Sequence, residues 1–119
     1  MKIAITSKGK DLDSQIDPRF GRAAYILIVD TRRPGVEVLD NSENANAFKG
    51  AGIQAAVTVS DRGVKVLLTG YCGPNAFKTL SAAGVKVAND VTGTVQDAII
   101  AFREGKVSFA DGANVEASW

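Results

Sequence analysis

Apolar and polar positions along this chain fall into short blocks of two periods. Lys2–Thr6 (KIAIT) is a β-branched run, and Tyr25–Val29 (YILIV) is almost continuously apolar, the pattern of a strand covered on both faces. The turn residues 30–35 (DTRRPG) separate that strand from Val36–Leu39, which predicts an antiparallel hairpin. Residues 41–50 are polar, with Asn41, Asn44 and Asn46, and read as a loop. Ala51–Ser60 reads as a helix of small residues that Gly63 closes, because glycine accepts the left-handed cap. Val64, Val66, Leu67 and Leu68 make the next strand, and Thr69-Gly70-Tyr71-Cys72-Gly73 interrupts it. Pro74 suits the first position of a second helix, where its missing N–H has no helical partner anyway; Phe77 and Leu80 share one face and Gly84 ends it. Val85–Ala88 is a further strand. Val95, Ala98, Ile99 and Phe102 recur at i, i+3, i+4 and i+7, which predicts a third helix from Thr94 to Glu104. From Lys106 to Trp119 the pattern is weak, and this tail is expected to be loosely held.

The order β-β-β-α-β-α-β-α predicts an α/β fold with a five-stranded mixed sheet and three helices, residues 1–105 forming one domain and 106–119 the tail. The first and fourth strands are expected side by side. That brings their carboxyl-end loops together, where open α/β sheets bind ligands. A net charge of +1 gives no global field toward nucleic acid or membrane, and no apolar run is long enough to span a bilayer. The start MKIAITSKGK has no secretory apolar region, and a lone cysteine has no internal disulfide partner. A cytoplasmic protein without nucleic-acid or membrane partners is expected.

The 64–80 stretch runs from strand through a glycine-flanked loop to a helix start, which aims N–H groups and a positive helix end into one volume and so favours an anion. Cys72 at that turn is either a thiolate ligand, a reactive thiol acidified by the helix end, or a small filler among the turn residues Gly70, Gly73 and Pro74. Asn75 either caps the helix or donates to a ligand. In Asp17-Pro18-Arg19-Phe20-Gly21-Arg22 the guanidiniums either clamp an anion or pair with Asp11, Asp13 or Asp17 on a solvated loop. Thr94, after Gly93, is a helix cap with or without a further role. Gly50-Ala51-Gly52 offers either a close backbone approach or an ordinary helix start. The chain has no histidine, which excludes a Cys–His hydrolase, and it has no GxxxxGK[ST], GxGxxG or CxxC motif. The strands KIAIT, YILIV and VKVLL carry no carboxylates for two-metal chemistry. Nothing in the residues supports enzymatic turnover.

Taken together, MKIAITSKG, LDSQIDPRFGRAAYILIVD, GAGIQAAVTVSDRGVKVLLTG, GPNAFKTLSAAGVKV and GTVQDAIIAF resemble the dinitrogenase iron–molybdenum cofactor biosynthesis family, that is, its NifX-like and NifB C-terminal-like domains. The similarity runs from Met1 to about Gly105. Its most specific signal is DPRFGR followed by TGxxGPNAF, and the short chain is most similar to the stand-alone orange-protein type, which carries a molybdenum–copper sulfide cluster. The resemblance implies a ribonuclease H-like fold and a non-catalytic binding or carrier protein for an anionic metal–sulfur cluster containing molybdenum with copper or iron. It also implies cofactor-binding positions at Ser7, Lys8, Arg19, Phe20, Gly21, Arg22, Gly50, Gly52, Thr69, Gly70, Cys72, Gly73, Pro74, Asn75, Gly93 and Thr94, with Cys72 the candidate metal ligand. Some relatives place histidine where this chain has Arg19. Here Arg19, Arg22, Lys8 or Lys10 and backbone N–H groups would hold the cluster instead. A preassembled sulfide cluster, needing few protein ligands, fits this composition better than a bare ion. The alternative of another class is a cofactor-free interaction module regulating an ATPase or scaffold partner through the same sheet edge; a phosphate-binding domain is a third, without its usual loop.

Overall fold

Alternation along the central strand, β1 (Lys2–Ser7), sorts its side chains into separate cores: Ala4 joins one, Ile3 and Ile5 the other. The computed structural model describes residues 1–115. The elements after β1 are β2 (Tyr25–Asp30), β3 (Glu37–Asp40), α1 (Ser42–Ala45), α2 (Ala51–Asp61), β4 (Val64–Leu68), α3 (Pro74–Ala82), β5 (Lys86–Ala88) and α4 (Val95–Arg103). They build one mixed sheet of order β3-β2-β1-β4-β5. β1 is antiparallel to β2 and parallel to β4, β2 is antiparallel to β3, and β4 is parallel to β5. The hairpin and the pairing of the first and fourth strands are therefore as the pattern predicts.

On one face Ala4, Ile26, Ile28 and Leu67 pack against Ala55, Ala56 and Val59 of α2 and Ala76 and Leu80 of α3. On the other, Ile3, Ile5, Leu27, Val29, Val66 and Leu68 meet Val95, Ala98 and Ile99 of α4. Cover on both faces is why YILIV is apolar at nearly every position. It also means that α2 and α3 open on one side of the sheet and α4 on the other.

The structure departs from the sequence reading in two places. The 41–50 segment contains a single helical turn, α1, so the described residues hold four helices rather than three. Asp40 Oδ1 starts that turn by accepting from the Ser42 N–H at 2.9 Å and the Ser42 hydroxyl at 2.6 Å. No residue of α1 is buried, so it carries no apolar period. The tail, expected to be loosely held, is fastened to the sheet edge as far as Asn114. Phe109 bridges Ala88, and the Ala110 N–H donates to the Val87 carbonyl at 2.7 Å. Asn114 then uses its side-chain amide like a peptide, accepting from the Cys72 N–H at 2.8 Å and donating to the Gly70 carbonyl at 2.9 Å. The short β5 leaves edge groups that need partners, and the tail supplies them. Residues 116–119 of that tail lie outside the described residues. Among the described residues no helix is long and apolar enough to cross a membrane.

Candidate functional site

The two sequence motifs are bonded directly to each other. The Tyr71 N–H donates to the Pro18 carbonyl at 2.5 Å and the Phe20 N–H to the Tyr71 carbonyl at 3.0 Å, so the 17–22 and 69–73 loops pair like a fragment of parallel sheet. A Cβ on Gly70 would lie 2.8 Å from the Pro18 backbone, and the approach therefore requires glycine. Asp17, 5% exposed, braces the first loop from within by accepting from the Arg19 N–H at 3.3 Å and the Ala24 N–H at 3.2 Å. The Thr6 hydroxyl donates to the Asp17 carbonyl at 2.6 Å and meets the Thr69 hydroxyl at 2.9 Å.

Beside this junction lies a groove of about 270 Å³, lined by Phe20, Arg22, Phe48, Lys49, Gly50, Ala51, Gly52, Ile53, Gly73, Asn75 and Ala76. Both α2 and α3 begin on its wall, and neither has a side-chain cap. Among the described residues the N–H groups of Ala51, Gly52 and Ile53, and of Asn75 and Ala76, have no protein acceptor. The helix starts come together because glycines let them. Gly21 has φ +87°, and a Cβ there would lie 2.7 Å from Gly52 Cα; a Cβ on Gly52 would lie 3.1 Å from that of Ala76. Arg22 and Lys49 are the charged lining residues, and no carboxylate joins them. Arg22 Nη1 also donates to the carbonyls of Ala45 at 3.0 Å and Ala47 at 2.7 Å, bracing the segment before α2. Unpaired N–H groups, positive helix ends and cations without carboxylates favour an anion over a cation in this groove.

Of the residues the resemblance implies, Phe20, Arg22, Gly50, Gly52, Gly73 and Asn75 line the groove, Gly21 packs behind it, and Pro74 is the first residue of α3. The others lie elsewhere. Arg19 is half exposed and faces Asp17, with Nε 3.8 Å from Oδ1, and does not line the groove. The Ser7 hydroxyl is turned onto Gly9, donating to its carbonyl at 2.7 Å. Lys8 is exposed, its N–H donating to the Gln15 carbonyl, and Lys10 lies over the Tyr25 ring. Thr69 and Gly70 hold the loop junction. Gly93 and Thr94 start α4, on the opposite face of the sheet. Gly93 has φ +91° and accepts the Ile16 N–H, and Thr94 forms a capping box with Asp97. The hydrogen bonds from the Thr94 backbone and side chain hold the Asp97 carboxyl below its ordinary value. Phe48 and Lys49, read in the sequence only as part of a polar loop, were missed; their one signal is an aromatic and a cation directly before a helix-opening glycine.

Cys72, the candidate metal ligand, does not line the groove. The side chain has no exposed surface and belongs to the apolar core under α2 and α3, with Sγ 3.8 Å from the Gly73 carbonyl oxygen. Burial pushes its thiol up from 9.0 to about 12. Desolvation governs because the sulfur is enclosed in the apolar core and does not line the groove. Native protein is expected to alkylate slowly at about pH 8 and denatured protein at once, thiolate being the reactive form. The folded state keeps the proton that the unfolded chain releases, so this group's contribution to stability is complete below about pH 9 and fades as pH rises toward about 12. Prompt alkylation of the folded protein would overturn this placement.

The model of the family described as dinitrogenase iron–molybdenum cofactor matches residues 1–105. The orange protein of Desulfovibrio gigas, solved at high resolution in its apo form, aligns with a TM-score of 0.92 at 45% identity, covering 96% of each chain. The NMR structure of a NifB-type protein from Thermotoga aligns with a TM-score of 0.80, again at 45% identity and over 91% of each chain. An uncharacterised protein of Methanocaldococcus jannaschii is 26% identical over 110 residues, 90% of this chain and 89% of that one.

Proposed function

The chain belongs to the dinitrogenase iron–molybdenum cofactor family, and on that footing we propose that it binds and carries a preassembled, anionic metal–sulfur cluster, without catalysing a reaction on it. The observation that carries this reading is the groove where α2 and α3 both start uncapped, with Arg22 and Lys49 and without a carboxylate. The N–H groups donate to bridging or terminal sulfides, the cations balance the cluster's charge, and Phe20, Ala51 and Ala76 give it an apolar floor. Ligation of the metal by the protein is not part of the proposal. The chain has no histidine, Cys72 is buried, and among the described residues no group of three or more His, Cys, Asp or Glu side chains is placed to hold a metal. The cargo we favour is a molybdenum sulfide cluster with copper or iron, as the likeness to the orange protein suggests. The 3-2-1-4-5 strand order, with β2 alone running against the other four strands, supports classing the fold as ribonuclease H-like. We place the carrier in the cytoplasm, with residues 1–105 as its cofactor-binding domain.

Titration with tetrathiomolybdate and cuprous ion tests this. We expect visible charge-transfer bands that saturate at a fixed stoichiometry and stay with the protein through a desalting column. Bands that leave with the small molecules would sink the carrier reading. Capture of a protein partner by cluster-free protein, unaffected by Arg22→Ala, would favour the interaction module in its place.

A further inference from the structure

We propose that Phe48 is a specificity-determining contact of the groove, its ring lying against the bound anion and favouring sulfur-faced over oxygen-faced anions of equal charge. The proposal rests on the carrier reading above. Phe48 lines the groove beside Arg22 and Lys49, yet 95% of its surface is open to solvent. Its position is braced from both sides. Arg22 holds the carbonyls of Ala45 and Ala47 before it, and Asn44 Nδ2 donates to the Ala51 carbonyl at 3.0 Å after it. With Ile53, 43% exposed on the same groove, it forms an exposed apolar edge beside the cations and free N–H groups, and exposed apolar surface of this kind marks interaction sites.

The edge matters because the N–H groups and cations do not discriminate, and the floor residues Phe20, Ala51 and Ala76 expose almost none of their own surface. Free N–H groups and cations attract any anion of suitable size, oxyanions included. An oxyanion is held tightly by water and loses that hydration against an aromatic ring without receiving a donor in return. A sulfide-faced anion is larger, more polarisable and less hydrated. It gains dispersion contact with the ring and meets the positive ring edge. Phe48 therefore adds to affinity only for the softer anion.

Tetrathiomolybdate and molybdate, tetrahedral dianions that differ in S for O, are the probes, measured by equilibrium dialysis on the whole chain. Wild type is expected to prefer tetrathiomolybdate. Phe48→Ala should weaken that anion about tenfold, equivalent to about 1.4 kcal/mol, while molybdate binding stays within about twofold. Phe48→Leu should fall between. Because the side chain is exposed, the unfolding midpoint should not move. If Phe48→Ala keeps wild-type selectivity while wild type still binds tetrathiomolybdate, the role of Phe48 is refuted and the carrier reading stands. Equal binding of both anions by wild type also refutes it. Failure of wild type to bind tetrathiomolybdate, with or without copper, overturns the carrier reading, and this proposal with it.

Discussion

Arg22→Ala should release the cluster and loosen the segment before α2 at once, because one guanidinium serves both. Its Nη1 holds the carbonyls of Ala45 and Ala47 while the residue lines the groove. A hydrogen bond from a charged donor contributes roughly 1.5–3 kcal/mol, so losing this partly buried pair should cost about 2 kcal/mol of folding stability after relaxation. If the groove holds the cluster as proposed, loss of this charge should weaken binding roughly a hundredfold, or about 2.7 kcal/mol. Arg22→Lys should recover part of the affinity and little of the bracing. An ammonium is a point charge that does not span two carbonyls and an anion together. Arg19→Ala should change affinity by less than about threefold, since Arg19 is an exposed partner of Asp17 and such pairs contribute little. Equal losses for Arg19→Ala and Arg22→Ala in the tetrathiomolybdate–copper titration would mean that the groove has been placed wrongly.

That contrast between the arginines marks the limit of what was legible in the chain. Period-2 runs and the 95–98–99–102 stripe expose the strands and α4 because burial imposes those periods, and the parallel pairing of β1 with β4 follows from the order of elements. The expected adjacency of the first and fourth strands also put the loops carrying DPRFGR and TGYCG at one end of the sheet, where the Pro18–Tyr71–Phe20 hydrogen bonds join them. Linear spacing does not encode which face of the sheet a loop-to-helix turn opens on. Gly93-Thr94 therefore looked equivalent to Gly73-Pro74, although α4 packs on the opposite side from α3. Nor does it encode burial of a single residue. Cys72 stands at a helix start in sequence, while in space the loop turns its side chain into the core. The tail was illegible for a related reason: Asn114 acts by mimicking a peptide, and a polar residue in an unpatterned stretch carries no sign of that. Phe48 reads as loop until its exposure and its place on the groove are known together.

Gly21→Ala should be strongly damaging, and its comparison with Gly50→Ala isolates the reason. Both glycines have positive φ, +87° and +81°, so either alanine incurs the left-handed penalty of about 1–2 kcal/mol. They differ in what the new methyl meets. At Gly50 there is nothing within 4 Å; at Gly21 the Cβ would sit 2.7 Å from Gly52 Cα, 2.8 Å from Gly52 N and 3.0 Å from Ala51 C. Those atoms are all backbone of the first turn of α2, so no side chain swings aside, and relief requires the helix start to move. Overpacking of this kind adds about 1–3 kcal/mol, which puts Gly21→Ala near 3 kcal/mol in total. The displaced turn carries the N–H groups of Ala51, Gly52 and Ile53, so cluster affinity should fall with stability. Gly50→Ala should lose only the smaller amount and keep its affinity. Urea unfolding at unchanged slope reads the first quantity and the tetrathiomolybdate–copper titration the second. If Gly21→Ala unfolds at the Gly50→Ala midpoint and still retains the cluster, the close seat of the 17–22 loop on α2 is not what shapes the groove. If both quantities fall together at Gly21 alone, the contact that packs the loop also aims the donors.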